Sequence, residues 1–196
     1  MNTSVAQFGF RFRSATGSTV HLMNQTMTQD EGIRKVAELI KGIKFAMMTT
    51  VSDDGKLYSR PMSTQEVEFD GDAWFFTADD SEKVRDLADK PQVNLAYSKS
   101  DSSAYVSVSG RAEIVRDRAK IEELWNPMFK AYFPQGLDDP NLALIKVSAQ
   151  SAEFWDSPSS PVVRLFGMAK AMMGGSASNL GENEVVNLER GSSSKV

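Results

Sequence analysis

The chain is 196 residues long, 41% hydrophobic and 24% charged, with 22 Lys and Arg against 26 Asp and Glu for a formal net charge of −4. This is the balance of one globular domain with an extra element or two, and basic residues scattered among acids argue against a nucleic-acid partner. With no cysteine and one histidine, His21, the chain has no disulfide framework, no thiol nucleophile and no thiolate metal site, and no bound metal is expected.

No apolar run approaches the roughly 18 residues of a membrane span, so no membrane partner is expected. The opening stretch, 1–24, carries Arg11 and Arg13 but no unbroken apolar core and no small-residue cleavage site, a pattern that predicts a cytoplasmic protein. Residues 1–27 mix Ser, Thr, Asn and Gln with few apolar anchors and are predicted to be a flexible extension outside the fold.

The first firm element starts at Thr28. Thr28-Gln29-Asp30-Glu31 is a capping box, and Ile33, Val36, Ala37 and Ile40 follow at helical spacing until Gly42. Residues 44–51 are a β-prone apolar run, Ser52-Asp53-Asp54-Gly55 a turn, and 57–69 a second strand interrupted at Pro61, so the pair reads as a hairpin. Proline has no N–H to give to a ladder, which puts Pro61 at a sheet edge or a bulge. Asp70-Gly71 turns the chain into a strand over 73–77, and a short helix from Ser81 to about Asp89 stops before Pro91. Strands follow over 93–98 and 104–115, joined by a polar turn. Asp117 caps a helix predicted to carry Ile121, Leu124, Trp125, Met128 and Phe129 on one side. After a loop through Pro134-Gln135-Gly136 and Asp138-Asp139-Pro140, strands resume over 142–148 and 152–155. The linker Ser157-Pro158-Ser159-Ser160-Pro161 leads to a predicted helix over 162–173, and a polar tail over 174–196 holds one short strand-like piece at 184–188. The domain is thus placed at 28–173.

Six or seven short strands in sequential hairpins, with helices between some of them, predict a mainly β fold: an antiparallel barrel of Greek-key type with peripheral helices. Neither a Rossmann glycine fingerprint nor a P-loop is present.

The chemistry concentrates in Ser59-Arg60-Pro61-Met62, Phe76-Thr77 and Ser81-Glu82-Lys83. An Arg, a Lys and two hydroxyls near strand ends and a helix start suit a phosphate, which pairs well with a guanidinium fork, an ammonium and free helix N–H groups. A competing reading has Arg60 and Lys83 as surface cations paired with Asp79, Asp80 or Glu82. The aromatic strand Trp74-Phe75-Phe76 can cover a flat apolar ring, although such side chains also fill cores.

In order along the chain, 45–50, Ser59-Arg60-Pro61-Met62, Phe75-Phe76-Thr77, Ser81-Glu82-Lys83, Gly110-Arg111-Ala112, the segment from Leu124-Trp125 to Pro140, and Glu153-Phe154-Trp155 resemble a known family. They look like the FMN-binding split β-barrels related to pyridoxamine 5′-phosphate oxidase, and within these the general stress protein 26 branch. The resemblance implies a homodimer with FMN at the subunit interface. It implies that Arg60 and Lys83 hold the FMN phosphate, helped by Thr77 and Ser81, and that backbone groups around Ser59, Pro61, Met62 and Phe76 adjoin the isoalloxazine. Trp155 matches a tryptophan near the flavin, Trp125 lies on the helix inserted in the stress-protein branch, and Arg164 falls where the family has a basic residue. Tyr105, with Ser107 and Ser109, lies on the strand whose counterpart reaches the cofactor from the partner subunit.

The implied function is that of an FMN-binding general stress protein. It is either a flavin-dependent oxidoreductase taking electrons from a small donor, or a non-catalytic protein that stores or senses flavin; a deazaflavin reader on the same barrel is a third option. The oxidases proper carry an Arg-x-His segment near the C-terminus, whereas this chain has Val162-Val163-Arg164-Leu165-Phe166. No vitamin B6 oxidation is therefore expected, and no catalytic residue is identified.

Overall fold

The computed structural model describes residues 27–65, 67–99, 104–156 and 182–189. Helix α1 (Gln29–Ile40) starts on the predicted capping box: the Thr28 hydroxyl accepts from the Glu31 N–H at 3.4 Å, and the Glu31 carboxylate accepts from the Thr28 N–H at 2.8 Å. These bonds take up donors that a helix start otherwise leaves free. Its apolar stripe packs Val36 and Leu39 into the core.

Strands β1 (Phe45–Val51) and β2 (Leu57–Ser63) form the predicted hairpin, with Gly55 at φ 82° in the turn. β2 is shorter than the 57–69 expected. Thr64 leaves the ladder by bonding back to the carbonyls of Lys44 (3.0 Å) and Ile43 (2.6 Å). Among the described residues β2 has β1 as its only ladder partner, so Pro61, opposite Met47, sits on an edge strand as its missing N–H requires.

Next come β3 (Asp72–Ala78), α2 (Glu82–Asp89), β4 (Gln92–Lys99), β5 (Ala104–Val115) and α3 (Arg118–Leu124). The helix expected to continue to Phe129 stops at Leu124. Pro127 has no N–H, and its ring would collide with the carbonyl four residues back. The chain therefore opens at Trp125 and restarts as a 3-10 turn, Pro127–Ala131, capped by the Asn126 side chain, and Met128 ends up exposed instead of on the apolar side. Residues 142–148 and 152–155, expected as two strands, are one strand, β6 (Leu142–Asp156). The strand-like piece in the tail is β7 (Glu182–Asn187), paired with β6. The helix predicted over 162–173, with Arg164, and the extension 1–26, with His21, lie outside the described residues.

All ladders are antiparallel, in the order β2-β1-β4-β5-β6-β3, with β7 added to the far half of β6. β2 and β3, the two ends of this order, approach each other without a ladder, which leaves the barrel split along one seam. The register of β5 against β6 shifts at Ser109/Gly110, and a Cβ on Gly110 would lie 2.6 Å from the Ser148 carbonyl oxygen. Only glycine allows that approach, and since Ser109 and Gly110 face Ser151 and Ala149, Gln150 is the extra residue of a bulge that lets β6 bend around the barrel. The main core lies inside, with Met48, Phe75, Leu95, Val108, Ile145 and Phe154 almost fully buried. A second cluster gathers Phe76, Leu124, Phe129 and Phe133 beneath α3. Among the described residues no helix is long and apolar enough to cross a membrane.

Candidate functional site

Side chains alternate across a strand, so the four residues Ser59 to Met62 divide between two faces. Met62 and Arg60 lie on the inner face, opposite Ala46 and Met48. Ser59 and Pro61 lie on the outer face, opposite Thr49 and Met47, and the Ser59 and Thr49 hydroxyls are 2.7 Å apart. Met62 is in the core, while Arg60 lies beyond it at the seam and reaches toward α2. The guanidinium donates to the Thr50 hydroxyl at 2.8 Å, which in turn donates to the Asp86 carboxylate at 3.1 Å. Asp86 and Glu82 lie 3.6 and 3.7 Å from the same guanidinium nitrogen, and the Tyr58 ring is 5.5 Å from its carbon. Thr50 and Asp86 are buried, so Arg60 is oriented by groups that have little freedom themselves.

Lys83 comes from the first turn of α2 and is half-buried. Burial and, next, the charge of Arg60 hold its pKa below the usual lysine range, against a weaker pull from Asp80. Two cations are thus brought within electrostatic reach of each other, and among the described residues Lys83 makes no ion pair or hydrogen bond of its own. The buried Thr77 hydroxyl lies 3.4 Å from that of Ser81, and Ser81 makes no side-chain cap to α2. The Val84 N–H bonds to the Ser81 carbonyl at 3.1 Å, which leaves the N–H groups of Glu82 and Lys83 at the start of the helix for an acceptor. Arg60 of β2 and Lys83 of α2 are thus brought together, and the Thr77–Ser81 pair lies where β3 leads into α2. An oxyanion there would relieve the repulsion between the cations and satisfy the helix start, and a phosphate dianion has the charge for both.

The competing reading assigned Asp79, Asp80 and Glu82 as partners of these cations. Among these three only Glu82 forms an ion pair, at 3.7 Å from Arg60 and itself largely exposed, while Asp80 reaches Lys83 through its charge alone. Asp79 is gripped by Arg116 at 2.6 and 2.9 Å, and Asp80 accepts from the Asn141 amide at 2.7 Å.

The aromatic residues fall into two groups. Phe76 and Trp125 are engaged in the second core cluster, edge to face with centroids 5.6 Å apart, and Phe129 packs 4.6 Å from Phe76. Tyr105 and Trp155 face each other across β5 and β6, 48% and 40% exposed, on strands separated from β2 by β1 and β4. Within one chain they do not meet Arg60 and Lys83. They share the outer face of the sheet with Phe45, Met47 and Val185, which are also exposed. Arg164 lies outside the described residues.

Thr50, Asp86 and Asn141 were not singled out from the sequence. Asp86 has a signal, since it follows Lys83 by three residues and returns to the same helix face. Thr50 has one in the hairpin register, two residues along β1 from the position facing Arg60. Asn141 has none, being 61 residues from the Asp80 it holds.

A family model described as pyridoxamine 5′-phosphate oxidase like matches residues 31–179. The chain is 31% identical over 156 residues to Protein bli-3 of Neurospora crassa, a match covering 74% of this chain and 75% of that one. It is similar to the crystal structure of the general stress FMN/FAD binding protein from the phytopathogen Xanthomonas citri, with a TM-score of 0.58 and 32% identity over 66% of this chain and 92% of that one. A protein from Jannaschia sp. CCS1 described as a general stress protein 26 shares the mostly antiparallel fold, with a TM-score of 0.64 and 24% identity over 79% and 96% of the two chains.

Proposed function

Since the chain belongs to the pyridoxamine 5′-phosphate oxidase-like family, we propose that it is an FMN-binding protein of the general stress type, with residues 28–173 as its binding unit. The phosphate is held at the seam by Arg60, Lys83, Thr77 and Ser81. One observation carries this reading: Arg60 and Lys83 lie close enough to repel, and among the described residues Lys83 forms no ion pair, only a weaker pull from the charge of Asp80 reaching it. Glu82 and Asp86 flank Arg60 but leave Lys83 without an ion pair, and a phosphate would supply an anion that both cations share. The description of the Xanthomonas citri relative as FMN/FAD binding supports the same ligand. Thr50 and Asp86 keep Arg60 oriented before the ligand arrives, which lowers the entropy lost on binding.

The active species is a homodimer. Tyr105 and Trp155 sit on an outer face with exposed Phe45 and Met47, too far along the sheet to serve their own chain's phosphate site. A two-fold pairing would bury this patch twice and let one copy's Tyr105 and Trp155 cover the flavin of the other. A cytoplasmic location goes with this reading.

When bound, the flavin supplies a ring that accepts a hydride or single electrons, and the chain binds, orients and shields it. The protein acts as a flavin oxidoreductase toward a small donor, without vitamin B6 oxidase activity. Incubation with FMN followed by desalting and an absorption spectrum tests the reading: about one flavin per chain should remain. Anaerobic reduced nicotinamide should then bleach the spectrum, whereas a loaded protein that is not reduced is one that stores or senses flavin.

A further inference from the structure

Two carboxylates directly precede the proposed phosphate site, in Asp79-Asp80-Ser81, where they should repel the ligand. The structure shows what restrains them. Arg116, just past the end of β5, donates from two guanidinium nitrogens to the Asp79 carboxylate at 2.9 and 2.6 Å. Asn141, just before β6, takes the turn from three sides: its carbonyl accepts from the Asp79 N–H at 2.8 Å, its side-chain oxygen from the Asp80 N–H at 3.0 Å, and its amide donates to the Asp80 carboxylate at 2.7 Å. Asn141 is itself fixed, its N–H bonded to the Asp139 carboxylate at 3.0 Å. The charge of Asp80 still reaches Lys83, but it ranks below burial and Arg60 among the influences on that ammonium.

We propose that Arg116 and Asn141 are positioning residues of the phosphate site, which dock the β3–α2 turn so that Asp79 and Asp80 are held off the ligand while Ser81 and Lys83 are presented to it. The proposal rests on the phosphate reading above. Its content is electrostatic: each residue neutralises or tethers a carboxylate that would otherwise be free to swing toward the phosphate. The effect should therefore fall on a charged ligand and spare a neutral one.

The test is a set of FMN and riboflavin titrations on the full chain. Asn141→Ala is expected to weaken FMN about 10-fold and to change riboflavin less than about 2-fold. Adding Asp80→Asn should bring FMN back to within about 3-fold of wild type, because the released charge and not the lost contact is what repels. Asp80→Asn alone should leave FMN within about 3-fold, since its carboxylate is already tethered. Arg116→Gln, rescued by Asp79→Asn, should repeat the pattern from an exposed ion pair and covers the case in which Asn141→Ala does not fold. Equal losses for both flavins, or a loss that the neutral second substitution does not rescue, overturn the proposal while the phosphate reading stands. A wild-type protein that binds FMN no more tightly than riboflavin overturns the phosphate reading and this proposal with it.

Discussion

Lys83→Met should separate binding from stability, because the two effects have opposite signs. Methionine keeps the length of the aliphatic stem and a good helix propensity and removes only the ammonium. In the ligand-free protein that ammonium is disfavoured first by burial and then by Arg60. Solvent screens a half-exposed group, so its removal should stabilise the fold by only about 0.5 kcal/mol, a rise in Tm of about 1–2 °C. The same substitution removes a charge-assisted bond to the phosphate, worth about 1.5–3 kcal/mol, and FMN should weaken roughly 10- to 100-fold with riboflavin almost unchanged. The pH dependence follows from the direction of the shift. The folded pKa lies below the 10.5 of the free side chain, so the unfolded chain holds the proton more tightly. Wild-type stability should rise with pH between the depressed value and 10.5, and Lys83→Met should lack that rise. Thermal melts of the ligand-free protein and flavin fluorescence titrations read both effects. A Lys83→Met protein that melts lower than wild type, or that loses both flavins equally, would refute the reasoning.

The remaining expectations concern packing, assembly and turnover. Gly110→Ala places a methyl 2.6 Å from the Ser148 carbonyl oxygen and should lower stability by about 2–3 kcal/mol in denaturant unfolding; a neutral result would mean that the β6 bulge opposite it shifts easily. Trp125→Ala should cost about 3 kcal/mol of stability while leaving the ratio of FMN to riboflavin affinity unchanged, since its ring packs on Phe76 and Phe129. Met47→Asp puts a charge on the exposed outer face and should convert a dimer into monomers in sedimentation, with FMN weakened alongside; a dimer that persists would move the interface elsewhere. FMN-loaded protein should form no pyridoxal 5′-phosphate from pyridoxamine 5′-phosphate, and robust oxygen consumption on B6 vitamers would show that the missing Arg-x-His segment was misjudged.

Much of the fold could be read from local signals because the physics there is local. A capping box at Thr28, a turn at Ser52-Asp53-Asp54-Gly55 and a proline on an edge strand depend on a few neighbouring residues, and each is in place. Residues 149–151 misled for the opposite reason. Ala149-Gln150-Ser151 looks like a break, but β5 on one side and β3 then β7 on the other carry β6 through it, with Gln150 taken up as a bulge. The early end of α3 was legible in Pro127, although the apolar spacing through Phe129 outweighed it. The same division runs through the site. Lys83, Ser81 and Thr77 lie within seven positions of one another, so their grouping could be read. That Phe76 and Trp125 fill a core, and that Asn141 reaches Asp80, are decided by contacts between distant parts of the chain, and no window of sequence carries them.

The central claim is that this seam holds a phosphate, and calorimetric titration of the wild-type protein with FMN and with riboflavin tests it most directly. The two ligands share the ring and differ in the phosphate. Two charge-assisted contacts, from Arg60 and Lys83, predict that FMN binds at least about 100-fold more tightly. Equal affinities, or riboflavin bound as well as FMN, would contradict the account.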